Sequence, residues 1–207
     1  CRTILLTNRS CRRQKAARQS FNVIPKGKCA LKLVDHVQQM TEYNHLMNQR
    51  IYNACSGLSA EVLAQNCGAF FGSILGTLNH LAVGDTLWLK RFYAADLNLI
   101  SLEPVNNLPL PEALDSILFT NLPKLRGRRE LLDQALLDFG NEVSESALHG
   151  TITYRNTKGM ASTKVFFSVV MHLFNHQTHH RGQITTLLSQ LQIDVGVTDL
   201  VAIIQDT

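Results

Sequence analysis

The sequence predicts an all-α protein, a four-helix bundle with one small β-hairpin between its third and fourth helices. Two observations carry this. Four long segments repeat apolar residues every three or four positions, the spacing of a helix with one buried face. Only one stretch, Thr151-Ile152-Thr153-Tyr154-Arg155, alternates as a strand does, and turn residues Asn156 to Gly159 follow it before a short return segment ending near Thr163. The chain's 207 residues are enough for one domain with a substantial core.

The first helix is expected over residues 33 to 54, on the stripe Leu33, Val37, Met40, Asn44, Met47, Ile51 and Ala54, with Gly57 as a left-handed cap. One rung of that stripe is polar: Asn44, flanked by Tyr43 and Asn48, so this helix is expected to turn hydrogen-bonding groups inward. A second helix is expected from about residue 69 to 93, with Phe70, Ile74, Leu78, Leu81 and Trp88 on its apolar side. Gly76, Thr77 and Gly84 would let another helix approach its His80. After a loop punctuated by Pro104, Pro109 and Pro111, the stripe from Leu118 to Phe139 predicts a third helix, with Pro123 near its first turn and Gly140 stopping it. The fourth helix, about 164 to 191, runs on Val169, Leu173, His176, His180, Ile184, Leu187 and Leu191.

Charge divides the chain. Residues 1 to 34 hold nine basic side chains and no acid, leaving 11 basic against 16 acidic side chains beyond them, a net of −5. An acidic body argues against a phosphate-binding surface, so no nucleic acid is expected as a partner. The basic stretch has no sustained period, and residues 1–32 read as an extension to a domain at 33–207. No membrane span is expected, because Asn79, His80 and Asp85 interrupt the most apolar stretch. The absence of a Cys-x-x-Cys pair and of a secretory core suggests free thiols and a cytoplasmic location.

His176 and His180, four apart on a helix, stack on one face, and both fall on its apolar stripe. Buried imidazoles need partners for their nitrogens. Core hydrogen bonds satisfy that need, and so does a divalent cation, for which a third imidazole would complete a facial set; His80 is available. A lone histidine at the place of His80 is more often structural than a ligand.

Five stretches together resemble the DinB family, also called the DinB/YfiT-like metalloenzyme superfamily. They are Tyr43-Asn44-His45 with Asn48-Gln49-Arg50; Gly68-Ala69-Phe70-Phe71-Gly72-Ser73-Ile74; Gly76-Thr77-Leu78-Asn79-His80-Leu81; Tyr154-Arg155-Asn156 with Gly159; and Asn175-His176-Gln177-Thr178-His179-His180-Arg181-Gly182-Gln183. The resemblance spans about Met40 to Gln205. It departs at Leu46-Met47, where such sequences often have Trp-Ala, and after Asp199-Leu200. It implies a four-helix bundle, a metal held by His80, His176 and His180, and a homodimer. His179, about 100° round the helix from His180, is expected outside the ligand set.

Three histidines leave an ion at least one open position. The resemblance implies one divalent transition metal (zinc, nickel, iron or manganese, zinc favoured) and an enzyme that activates a low-molecular-weight thiol for transfer or isomerisation. Tyr43, Asn44, Asn48 and Gln183 are the candidate substrate-binding or supporting residues, and no catalytic residue is assigned. Alternatives are a non-enzymatic, damage-inducible stress protein with a structural metal, and a metal-dependent hydrolase. Gln177 argues against peptide hydrolysis, since it stands where His-Glu-x-x-His enzymes have their general base and cannot take a proton.

Overall fold

A computed structural model describes residues 32–95, 97–156, 159–204 and 206. The basic stretch predicted as an extension lies outside these residues up to position 31. Seven α-helices and one hairpin follow in order: α1 (Leu33–Cys55), α2 (Ala60–Ala64), α3 (Ile74–Tyr93), α4 (Glu103–Asn106), α5 (Leu122–Glu142), α6 (Glu145–His149), β1 (Thr151–Arg155), β2 (Ala161–Val165) and α7 (Phe166–Gln190). The four long ones, α1, α3, α5 and α7, are the predicted four, and the hairpin sits where the alternation placed it.

The long helices pack in the cyclic order α1, α5, α3, α7. Side-chain contacts fix their directions. Asp85 meets Arg129 and Phe92 meets Phe139, so α3 and α5 run parallel. His36 meets Phe167 and Asn44 meets Arg181, so α1 and α7 run parallel. His80 faces His176 and His180 whereas Trp88 faces His172, which makes α3 and α7 antiparallel. The bundle is therefore up-down-down-up, and the helices that follow each other as α1 and α3 stand diagonally.

One end of the core closes on Phe92, Phe139 and Phe166, all 0% exposed, with ring centroids 5.1 to 6.1 Å apart. Burial on this scale is what holds an amphipathic helix in place, at about 1.5–3 kcal/mol for each large apolar side chain. The hairpin leads straight into that cluster. Its register pairs Thr151 with Val165 and Arg155 with Ala161, Ile152 is its buried residue, and the Phe166 amide donates to the Gly150 carbonyl at 2.9 Å.

Four boundaries differ from expectation, each for a local reason. α5 starts at Leu122 and not at Leu118, because the Asn121 side chain caps it by accepting the Lys124 amide at 3.2 Å. Gly57 is not the left-handed cap of α1: the helix closes on Ser56 in right-handed conformation, and Gly57 has no positive φ. α3 starts at Ile74, not near 69, because Gly72 turns the chain at φ 74° and the Ser73 hydroxyl caps the Gly76 amide at 3.0 Å. Phe70 is consequently no part of that helix's apolar side and is 86% exposed. Gly140 does not stop α5; it lies inside the helix where the Thr41 side chain of α1 crosses it, and a Cβ there would stand 2.9 Å from Thr41 Oγ1.

Candidate metal centre

α3 and α7 converge in the middle of the bundle, and the convergence rests on a glycine. Gly84, one turn after His80, has no side chain where the His176 ring lies. His80, His176 and His180 thereby come together, each offering one ring nitrogen, and these nitrogens all lie within 4.8 Å of one another. His80 Nε2 and His176 Nε2 are 3.0 Å apart, close to the ~3.3 Å that two nitrogens subtend in a tetrahedral zinc shell with bonds of about 2.0 Å. His80 and His180 are buried and His176 is half-buried.

Hydrogen bonds to the far side of two rings set their tautomers. Leu114 presents a carbonyl 2.8 Å from His80 Nδ1, and a carbonyl only accepts, so Nδ1 carries the proton and Nε2 faces the centre bare. Gln183 Oε1 does the same for His180 Nδ1 at 2.8 Å, with its amide nitrogen turned to His179 Nε2 at 3.4 Å. An outer acceptor on the non-ligating nitrogen is the arrangement that orients metal-binding imidazoles. The Nδ1 of His176 is buried without a hydrogen-bond partner.

Burial also sets the charge state. Desolvation holds all three imidazoles below their ordinary pKa, opposed at His80 by the Leu114 bond and at His180 by the Gln183 bond. His176 is pushed furthest, to about 3, by desolvation and then by His180, His80, His172 and His179 around it. Three neutral imidazoles, two of them with Nε2 bare and the third, His176, turning its Nε2 to His80, have the charge state a divalent cation requires, the cation taking the place of the one proton between them.

The loop before α3 roofs the centre. Phe71 stacks on His80, with centroids 3.7 Å apart and planes 16° apart, and meets His180 edge-on at 5.5 Å. The backbone is folded to bring it there: Cys67 N–H donates to the Gly72 carbonyl at 2.8 Å, and the Phe71 carbonyl presses into the space that Gly76 leaves empty. From the other side Asn79 holds the 107–121 loop. Its Nδ2 donates to the Phe119 carbonyl and its Oδ1 accepts the Phe119 amide, both at 3.0 Å, as a strand neighbour would. That anchor keeps Leu114 over His80.

Beneath the histidines a buried polar network crosses the whole bundle. Arg129 Nη1 donates to Asp85 Oδ2 at 2.6 Å, and its Nε lies 3.0 Å from Asp133 Oδ1. Gln177 Nε2 donates to the same Asp85 oxygen, Asn48 Nδ2 donates to Asp133 at 2.8 Å, and Arg181 donates to Asn44. All seven residues are at most 5% exposed.

The network accounts for the polar residues of α1. Asn44 and Asn48 face Asp133, and the Tyr43 hydroxyl donates to the Thr198 carbonyl at 2.6 Å. Gln183, the fourth supporting candidate, is in direct contact with His180. His179 is exposed and lies outside the cluster. The sequence reading missed Phe71, Asn79, Leu114 and Asp85 as parts of the centre. Asn79 and Asp85 had a signal, as polar side chains inside the most apolar stretch of the chain.

Known proteins place this geometry. The family model described as DinB family matches residues 33–206, which is the bundle and not the basic stretch. The chain is also similar to "Protein DinB" of Bacillus subtilis (strain 168), with 27% identity over 169 residues that cover 80% of this chain and 91% of that protein. With the family model spanning every element described above, this chain belongs to the DinB family.

Proposed function

We propose that this protein binds one divalent transition metal, zinc by preference, through His80, His176 and His180, and uses it to transfer a low-molecular-weight thiol to an electrophile. The observation that carries the reading is the pair of outer acceptors, Leu114 carbonyl and Gln183 Oε1, which leave bare nitrogens converging on one point. A divalent ion supplies, when bound, the positive charge that keeps a thiol deprotonated near neutral pH.

The chain's own residues do the rest. Phe71 and the loop anchored by Asn79 exclude water above His80 and His180. The Asp85–Gln177 contact clamps the helix that carries two of the three ligands, and Asn44, through Arg181, clamps it again one turn on. Of the three histidines His176 alone is half-buried, so solvent reaches at least one of them, which favours chemistry over a closed structural site. The Phe71 roof is the observation that favours the second reading, a stress protein in which the metal only ties α3 to α7.

Cobalt substitution separates the two. On the enzymatic reading, glutathione, bacillithiol or mycothiol changes the visible spectrum of the cobalt protein. If none of the three does so at millimolar concentration, thiol chemistry is abandoned for the structural reading.

A further inference from the structure

Beyond His176 a row of ring contacts runs along α3 and α7 toward the hairpin. His172 stands one turn before His176, with ring centroids 6.2 Å apart, and is exposed. Trp88 faces His172 edge-on at 5.1 Å, and Tyr154 of β1 faces Trp88 at 5.1 Å. Arg91 closes the row. Its guanidinium carbon lies 4.5 Å from the Trp88 ring centre and 5.2 Å from that of Tyr154, so two aromatic faces fix the side chain.

Among the described residues the guanidinium has no anion: no carboxylate lies within ion-pair distance of Arg91, whereas the buried Arg129 has two. Burial without a counter-ion pulls the Arg91 pKa below its ordinary value. An arginine held in the corner between two rings set 69° apart has its N–H fork confined, and such a fork receives a carboxylate through two parallel hydrogen bonds.

Arg91 follows His80 by three turns on nearly the same helical face, a rise of about 16 Å between their Cα atoms, and its long side chain leans back toward Trp88. The remaining gap suits an extended ligand of about tripeptide length, roughly 10 Å. We infer that Arg91, fixed by Trp88 and Tyr154 and assisted by His172, binds the carboxylate of a ligand whose other end reaches the three histidines. This rests on the thiol reading above and narrows it: the thiol carries a carboxylate, as glutathione and bacillithiol do and mycothiol does not.

The test uses S-methylglutathione, which has carboxylates but no thiol, and its dimethyl ester, titrated calorimetrically into the full-length metal-free protein. The free acid is expected to bind about tenfold or more tightly than the diester, the loss expected when a charged hydrogen-bonded pair is removed. Arg91→Gln should bring the acid down to the level of the diester, Arg91→Lys should restore part of the difference, and both variants should keep the wild-type circular dichroism and metal content. Equal affinities for acid and diester, no binding of the acid up to ~10 mM, or an Arg91→Gln protein that still prefers the acid would each overturn the inference. A cobalt protein silent to every thiol would remove the thiol reading alone, because S-methylglutathione reports on Arg91 without a metal.

Discussion

Gly84 lies against His176 so closely that a Cβ added to it would stand 2.8 Å from the imidazole Cε1. The ring would have to move, and with it a nitrogen of the cluster. Gly84→Ala is therefore expected to weaken metal binding by about 10- to 100-fold, the range seen when the support of a ligand is disturbed. The helix itself should gain, since alanine is favoured over glycine by up to about 1 kcal/mol. Chelator competition and metal-free thermal denaturation, measured on one preparation, read the two effects separately.

Asn79 acts at one remove from the centre, by holding Phe119 through both amide atoms. Asn79→Ala leaves a part-buried backbone N–H and C=O without these partners, at a cost of about 1–3 kcal/mol in unfolding free energy. It also frees the loop that places the Leu114 carbonyl on His80. Urea denaturation should show the first effect, and weaker metal retention against a chelator the second.

The fold was largely legible because helical periodicity survives in single sequences. Val37, Leu78, Leu132 and Leu173 sit on the predicted stripes and are all at most 1% exposed. The clustering of three histidines was legible too, as two histidines one turn apart on a buried face and a third beside glycines. What surrounds it was not. Phe71 lies over His80 because of two positive-φ glycines, Gly68 and Gly72, and Leu114 contributes only a backbone carbonyl, which no side-chain pattern announces. Gln177 read as a missing base, whereas its fully buried amide donates to Asp85.

That bond sets an expectation for Gln177→Glu. The change restores a His-Glu-x-x-His pattern in the sequence but puts a second carboxylate against Asp85 in the core. Arg181, which touches the Gln177 oxygen and is shared with Asn44, offsets part of that charge, so the variant should lose stability by up to the about 3–5 kcal/mol of an uncompensated buried charge and gain no peptidase activity. Thermal denaturation and a casein digestion assay check the two halves.

The histidine pKa values predict an acid-sensitive metal-free state. All three are lowered by burial, so between pH 6.5 and about 3 the unfolded chain binds protons that folded His176 does not. Stability must then rise with pH through this window and fall as the solution is acidified below pH 6.5. With allowance for its partial exposure, His176 contributes roughly 1 kcal/mol per pH unit. The melting temperature of metal-free protein should drop between pH 7 and pH 5, and His176→Gln should flatten that slope.

His80, His176 and His180 are expected to hold one metal ion together. Elemental analysis of the purified protein tests this most directly, with each single alanine variant alongside. The expected result is about one equivalent of a divalent transition metal per chain in the wild type, loss of nearly all of it on His80→Ala, His176→Ala or His180→Ala, and full retention on His179→Ala. A wild type purified and reloaded without stoichiometric metal, or a His80→Ala protein that keeps it, would contradict the account.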